Sequence, residues 1–263
     1  MFALLAQLDS VLGDPGANAV RAVAALEAHP EADIAVFPEL FLSAYHLPDV
    51  TESARPAGCD ELCLVAAAAA AVSTGVVIGF AERLVGGGVA NAAACIDADG
   101  ELVGVYRKTQ LFGAEQAVFQ AGRELNVVDL AGRAVGLLIC FDVEFPEPAR
   151  RLALAGAELL VTASANMDPF GDDHELASRA RALENRLPHL YVNAVGTLGG
   201  NLLVGRSRAI GAAGDVLAEA PEHAEALLVV PVPTAGAEGD RVEYLRHLPD
   251  DLPVVVRGRT VRP

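Results

Sequence analysis

An α/β fold is predicted, on three observations. Short apolar runs of strand length alternate with longer helical stretches through most of the chain, as expected of helices layered on sheets. Hydrophobic residues make up 52% of the 263 residues and charged residues only 21%, so a large core can be buried. No Ser/Gly/Pro-rich linker, charge run or break in composition interrupts the chain, so residues 1–263 read as one domain.

The N-terminal stretch Met1–Asp9 has neither a basic leader nor a long apolar region. It reads as a first strand near 2–8 rather than a signal peptide, with the cytoplasm as the default location. A helix near 17–28 and a strand near 33–37 follow. The helix near 60–73 contains the run Ala66–Ala71, which is uncharged but far too short to cross a bilayer, so no membrane association is expected. Its small side chains allow close packing on a sheet. Strands near 75–82 and 90–97 flank Gly86, Gly87 and Gly88, a hairpin loop by its simplest reading. The triglycine lacks the Lys-Ser or Lys-Thr of a phosphate loop. Strands near 102–107, 126–130 and 134–139 lead to a helix near 148–156, which Pro148 can open in its first turn. A strand near 158–163, a helix near 173–186 and strands near 190–196 and 203–210 complete the pattern.

The formal charge of −16 argues against nucleic acid, whose phosphates call for basic patches. Such a charge serves solubility, and it also favours a cationic small molecule. Four cysteines at 59, 63, 95 and 140 do not make a disulfide framework in a chain of this size without a leader. Cys59 and Cys63 lack a second half with zinc-like spacing, His174-Glu175 lacks the rest of a zincin helix, and the histidines do not cluster. No metal is expected.

The chemistry is concentrated where apolar runs stop. The run Ala134–Ile139 ends at Cys140, followed by acidic residues, a proline and a helix. Such an elbow can project a reactive side chain beside free backbone N–H groups, although a free cysteine taken alone is as readily a small core hydrophobe. A second run, Ile34–Phe37, delivers Glu39 after a proline, and a third, Val103–Tyr106, delivers Lys108. Ligands gather at strand ends in α/β sheets. A carboxylate, an ammonium and a thiol so placed are what covalent acyl transfer needs. Lys108 is the only lysine among nineteen basic residues. A compact ammonium suits a tetrahedral oxyanion where a planar guanidinium does not.

In their order and spacing, Pro38-Glu39-Leu40, Tyr106-Arg107-Lys108-Thr109 and Ile139-Cys140-Phe141-Asp142 resemble the three catalytic motifs of the nitrilase superfamily, the carbon–nitrogen hydrolases. The resemblance extends through Arg150–Ala153, Gly156–Glu158 and Arg179–Arg186. It implies a four-layer αββα sandwich, paired into a homodimer or a higher homo-oligomer, that works without a cofactor. Within the superfamily, Asp142–Glu147, Ala165–Phe170 and Phe41–Tyr45 look most like the 5-aminopentanamidase and stereoselective amidase branch.

The implied reaction hydrolyses a small carboxamide, with ω-amino amides among the candidates, to acid and ammonia through a cysteine thioester. Glu39 takes the proton of Cys140, whose thiol is mostly protonated at its usual pKa of ~8.5. Glu39 returns that proton to the departing ammonia and then activates water. Lys108 and the backbone N–H of Phe141 hold the oxyanion, donors that contribute ~3–4 kcal/mol each. Glu115, matching the family's second glutamate, holds the lysine and positions the leaving group. Tyr45, Glu144, Asn166 and Asp168 are further substrate-contact candidates, with Asp172 and Asp173 close behind. Glu144 and Asp168 would attract a substrate ammonium if they face the pocket; otherwise Glu144 pairs with an arginine and the aspartates are solvated. The alternatives on this fold are an N-carbamoyl-amine hydrolase or a nitrilase. A non-catalytic binding or regulatory member would have lost Cys, Glu or Lys, and none is lost here.

Overall fold

The computed structural model describes residues 1–235 and 244–248; the remainder of the expected single domain, including 249–263, lies outside the described residues. In chain order the elements are β1 (Phe2–Gln7), α1 (Pro15–Ala28), β2 (Ile34–Val36), α2 (Asp60–Val72), β3 (Gly75–Arg83), β4 (Val89–Ile96) and β5 (Leu102–Arg107). Then come β6 (Val127–Leu130), β7 (Arg133–Ile139), α3 (Pro146–Leu154), β8 (Leu159–Ser164), α4 (Gly171–Asn185) and β9 (His189–Asn193). The last are β10 (Val195–Leu198), β11 (Asn201–Val204), β12 (Arg208–Ile210), β13 (Val216–Glu219) and β14 (Ala226–Pro231).

Two six-stranded sheets run in the orders β14-β1-β2-β3-β4-β5 and β13-β12-β9-β8-β7-β6. They stack through one shared core. Ala3 and Leu5 of β1, Val77 of β3, Val135, Leu137 and Ile139 of β7 and Val161 of β8 all meet between the sheets. The alternate residues face outward: Leu4, Ala6, Val76, Ile78 and Phe80 pack under α1 and α2, and Leu138 and Leu160 lie with Ala149 and Leu152 of α3. This period of two is the alternation of side chains across a pleated strand. Both faces of each sheet are covered, so these strands read as continuous apolar runs. The result is the four-layer αββα sandwich.

The central strands β1-β2-β3 and β7-β8-β9 are parallel, so their C-terminal ends collect at one edge of the sandwich. A separate cluster, including Leu40, Tyr45, Ala165, Ala194 and Leu203, builds the floor of that edge. The triglycine is the β3–β4 hairpin loop; all three residues have positive φ, which glycine adopts without steric cost.

Three expectations are corrected. The run 190–196 divides at Ala194 and the run 203–210 divides between β11 and β12. At Ala194 the N–H turns to the carbonyl of Ser164 and the carbonyl accepts from Gly205, so the chain leaves the sheet and β10–β11 form a hairpin over the site. Strands β13 and β14 were not anticipated; β14 extends the first sheet by pairing antiparallel with β1. Helix α3 begins at Pro146 rather than Pro148, with proline in its opening turn as expected. No described helix is long and apolar enough to cross a membrane.

Candidate active site

Glu39 reaches the site because its backbone crosses directly over β3. A Cβ on Gly79 would lie 2.2 Å from the Pro38 carbonyl oxygen and 2.4 Å from the Leu40 nitrogen, so only hydrogen fits beneath this crossing. The Glu39 N–H donates to the Ser164 carbonyl at 3.3 Å, and Oε2 accepts from the Ala165 N–H at 2.9 Å. The carboxylate is thus carried by the first sheet and held by the end of β8 in the second.

Lys108 follows the last residue of β5, its N–H bound to the Asn91 carbonyl at 2.9 Å. The ammonium is buried and donates to Glu39 Oε1 at 2.6 Å and Glu115 Oε1 at 2.9 Å. A lysine has three donors, and these bonds use two of them. Glu115 stands in a 3₁₀ turn, Gly113–Ala117. Its Oε2 accepts from the Phe112 N–H at 2.8 Å, and Oε1 also accepts from the Tyr45 hydroxyl at 2.9 Å. Asn91, a lone polar residue inside the apolar β4, donates from Nδ2 to Glu39 Oε1 at 2.7 Å. It stands 3.4 Å from Glu115 Oε1 as well. With carboxylates on both sides, the amide nitrogen must face them.

Two carboxylates and one ammonium sealed from water carry one excess negative charge when all are ionised. Burial therefore pushes the Glu39 carboxyl above its ordinary value, Lys108 pulling it back only in part and Glu115 adding to the rise. Burial works against the Lys108 ammonium too, yet the charges of Glu39 and Glu115 hold it well above the ordinary lysine value. Lysine stays charged, and Glu39 is the group of the cluster whose shift suits it to take up a proton.

Cys140 begins a 3₁₀ turn, Cys140–Glu144, with φ of +45°. A β-carbon in the left-handed region costs ~1–3 kcal/mol, which surrounding structure must offset. Asp142 supplies part of that constraint. Its Oδ2 accepts from the Ile139 N–H at 2.9 Å and the Tyr106 hydroxyl at 2.8 Å. Its Oδ1 accepts from the Thr109 hydroxyl and the Gln110 N–H, both at 2.9 Å. The clip fastens the cysteine elbow to the segment that bears Lys108. The first N–H groups of a helical turn, that of Phe141 among them, have no acceptor within it.

The Cys140 thiol is pushed up by burial and by the negative charge of Glu39; Lys108 and the Ser164 hydroxyl oppose this. At neutral pH the sulfur is therefore a thiol, and for it to attack its proton would have to pass to a base, a part Glu39 could play. A pH profile follows from these signs. With Glu39 as the base its protonation would stop the reaction, so the acid limb of kcat/KM should lie above the ordinary glutamate value of ~4.3. Lys108 and the thiol titrate high, so no descending limb should appear below about pH 10. A pH–rate series that fell between neutrality and pH 9 would contradict this assignment.

The void in front of Cys140 is about 20 Å³, close to the space of one water. Phe112, Phe141, Met167 and Phe170 form its apolar wall, and Glu144, Asn166 and His174 its polar side. The Phe112 ring meets Phe141 edge-on at 5.3 Å and Phe170 at 5.7 Å.

Glu39, Lys108, Glu115, Cys140, Tyr45, Phe141, Glu144 and Asn166 are thus brought to one place. Asp168 is not. It is exposed, its N–H tied to the Leu202 carbonyl at 3.0 Å, because the loop after β8 turns toward β11 there. Asp172 and Asp173 are exposed on the first turn of α4, where Asp172 pairs with Arg206. Asn166 spends its side chain on its own loop, donating to the Phe170 carbonyl and accepting from the Met167 N–H. Glu144 pairs with His174 at 3.1 Å, not with an arginine; Arg181 reaches only its carbonyl. Sequence reasoning missed Asn91, the clip made by Asp142, and His174. For Asn91 the signal was available: an amide within an otherwise apolar strand.

The carbon-nitrogen hydrolase family profile matches residues 3–241. The chain belongs to the carbon–nitrogen hydrolase family. It is therefore a hydrolase of carbon–nitrogen bonds other than peptide bonds. This hydrolase is 36% identical over 219 residues to an (R)-stereoselective amidase of a Pseudomonas species, a match covering 82% of this chain and 79% of the relative. A 44% identical match to a hydrolase encoded in the pqqF 5′ region of Pseudomonas protegens covers 63% of this chain and 60% of that one. Among solved structures, the amidase of Nesterenkonia sp. AN1, as a cysteine-to-alanine variant with butyramide, superposes with a TM-score of 0.84 at 28% identity, covering 94% of each chain. Another structure of that amidase, covering 89% of this chain and 90% of its own at TM-score 0.82 and 29% identity, carries the acetamide moiety of fluoroacetamide on the active-site cysteine.

Proposed function

We propose that this carbon–nitrogen hydrolase is an amidase that cleaves a small primary carboxamide through a thioester on Cys140. The observation that carries the reading is the elbow thiol set against a buried Glu39–Lys108–Glu115 cluster inside a closed, aromatic-walled pocket. Glu39 takes the thiol proton, the sulfur attacks the carbonyl carbon, and ammonia leaves with that proton. Lys108 directs its third hydrogen to the oxyanion, joined by the Phe141 N–H. Water activated by Glu39 then frees the acid. An ammonia-release screen over ω-amino amides, aliphatic amides, N-carbamoyl amines and nitriles tests the reading, and a dominant rate on either of the last two would replace it.

The acyl chain of the substrate is proposed to carry an ammonium. The Glu144 carboxylate lines the pocket, about a third of its side chain is exposed, and no described lysine or arginine side chain pairs with it. Its partner His174 is held below the ordinary histidine value by burial, so the imidazole is neutral and leaves the carboxylate's charge uncompensated. Glu144→Gln should raise KM for an ω-amino amide roughly tenfold or more, with little effect on the neutral amide of equal length. Equal kcat/KM for the two amides in the native enzyme would refute cation recognition.

Self-association as a homodimer or larger assembly is proposed as well. Leu154 of α3 and Leu176 of α4 are 62% and 72% exposed on the outer helical layer. Sedimentation should show at least a dimer, and Leu176→Glu should shift it toward monomer. The four unpaired cysteines accord with a reducing compartment such as the cytoplasm, which cell fractionation tests.

A further inference from the structure

A line of hydrogen bonds leads from the pocket to the back of the nucleophile, and the mechanism above does not use it. Glu144 Oε1 meets His174 Nε2 at 3.1 Å, His174 Nδ1 meets the Tyr191 hydroxyl at 2.8 Å, and that hydroxyl meets Ser164 Oγ at 3.0 Å. Ser164 is the last residue of β8, one step beyond the Ile139–Ala163 register pair, and so stands beside Cys140. Ser164 and Cys140 leave adjacent parallel strand ends, and the Ser164 hydroxyl opposes the rise in the Cys140 thiol's pKa. His174, Tyr191 and Ser164 are all buried.

The proton positions along this line follow from the chemistry of its ends. A carboxylate only accepts, so His174 carries its hydrogen on Nε2 and leaves Nδ1 bare. Nδ1 must then accept, which commits the Tyr191 hydrogen to His174. Tyr191 therefore offers Ser164 an acceptor and no donor. The single Ser164 hydrogen has two destinations, the Tyr191 oxygen or the Cys140 sulfur. Against a thiol the phenol oxygen is the better acceptor; against a thiolate the sulfur is.

We propose that Ser164 is a further catalytic residue, a switchable donor whose hydroxyl swings onto the Cys140 sulfur as Glu39 removes the thiol proton, with Tyr191 and His174 as positioning residues that keep it free to do so. No proton travels along the line: the thiol proton goes to Glu39, and Ser164 only rotates. The proposal rests on Cys140 being the nucleophile. The thiol also faces Glu39, Lys108 and Glu115 from the first sheet, and the Arg208 guanidinium lies 5.2 Å from the Tyr191 ring centre. Those groups are unchanged in the variants below.

The test reads the thiol without turnover. Carbamidomethylation of Cys140 by iodoacetamide, located by mass spectrometry, is followed against pH in the native enzyme, Ser164→Ala, Tyr191→Phe and the double variant. Loss of a donor to a charged sulfur should raise the apparent thiol pKa by about a unit, slowing alkylation at neutral pH roughly tenfold in Ser164→Ala. Tyr191→Phe removes the acceptor that competes for that hydrogen and should move the profile the opposite way, by less. The double variant should match Ser164→Ala alone, since both changes act through one hydroxyl. In turnover kcat should fall with KM nearly constant, and Ser164→Thr should restore the alkylation profile. A native profile in Ser164→Ala, or effects that multiply in the double variant, would overturn the proposal. So would a lowered melting temperature with unchanged alkylation. If Ser164→Ala does not fold, Tyr191→Phe decides alone: a native profile there overturns the proposal. Because alkylation needs no substrate, failure of the amidase reading would leave this result intact.

Discussion

Cys140→Ala should lower turnover by on the order of 10⁴-fold or more, since it removes the atom that bears the intermediate. The backbone should tolerate the change, because alanine accepts the elbow no worse than cysteine and the Asp142 clip remains in place. Mass spectrometry of the native enzyme quenched during turnover should find the acyl adduct on Cys140. Cys95 is buried between the sheets and Cys59 lies in the core under the outer helices, and neither has Glu39 or Lys108 beside it, so neither is a competing nucleophile. A variant that kept near-native rate, or an adduct on Cys59, Cys63 or Cys95, would end the thioester mechanism.

Lys108→Arg should be nearly as damaging although the charge is kept. Loss of one preorganised oxyanion donor costs on the order of 10²–10³ in kcat. A planar fork also cannot occupy the point from which Nζ reaches Glu39 and Glu115 at 2.6 and 2.9 Å. Lys108→Met goes further. It leaves two buried carboxylates facing each other, and breaking a buried pair in this way costs roughly 3–5 kcal/mol. The lysine is raised above its unfolded value, so its stabilising contribution is fully present below that value and is lost only as pH rises through the folded one. In the methionine variant the two carboxylates, having lost the ammonium, are relieved by taking up a proton, so its deficit in thermal unfolding should be smaller at pH 6 than at pH 8. Native activity in Lys108→Arg would remove the lysine from the oxyanion site.

The parts of this enzyme that were legible in the sequence are those where one residue breaks a local pattern. Glu39, Lys108 and Cys140 each follow an apolar run; β2 and β7 are parallel central strands, and β5, antiparallel to β4 as β3 is, runs with β3 and ends at the same edge. The illegible parts depend on partners far away in the chain. Glu144 and His174 are thirty residues apart, and no spacing rule joins them. Asp168 follows the end of β8 just as Glu39 follows the end of β2, but the loop carries it outward to β11. The division at Ala194 is set by the Ser164 carbonyl, on another strand. The left-handed backbone at Cys140 has no glycine to announce it.

The reacting groups are divided between the two halves of the sandwich. The first sheet contributes Glu39, Asn91 and Lys108; the second contributes Cys140, Ser164 and Tyr191. Neither half alone holds both Cys140 and Glu39, so the proposed chemistry arises only when the halves dock. During synthesis the nascent chain emerges with the first sheet's five leading strands, and these have no thiol of the catalytic kind. A half-assembled molecule is thereby chemically silent toward amides, including the side-chain amides of its neighbours. Activity recovered on refolding reports the closing of the whole sandwich rather than the regain of strand and helix.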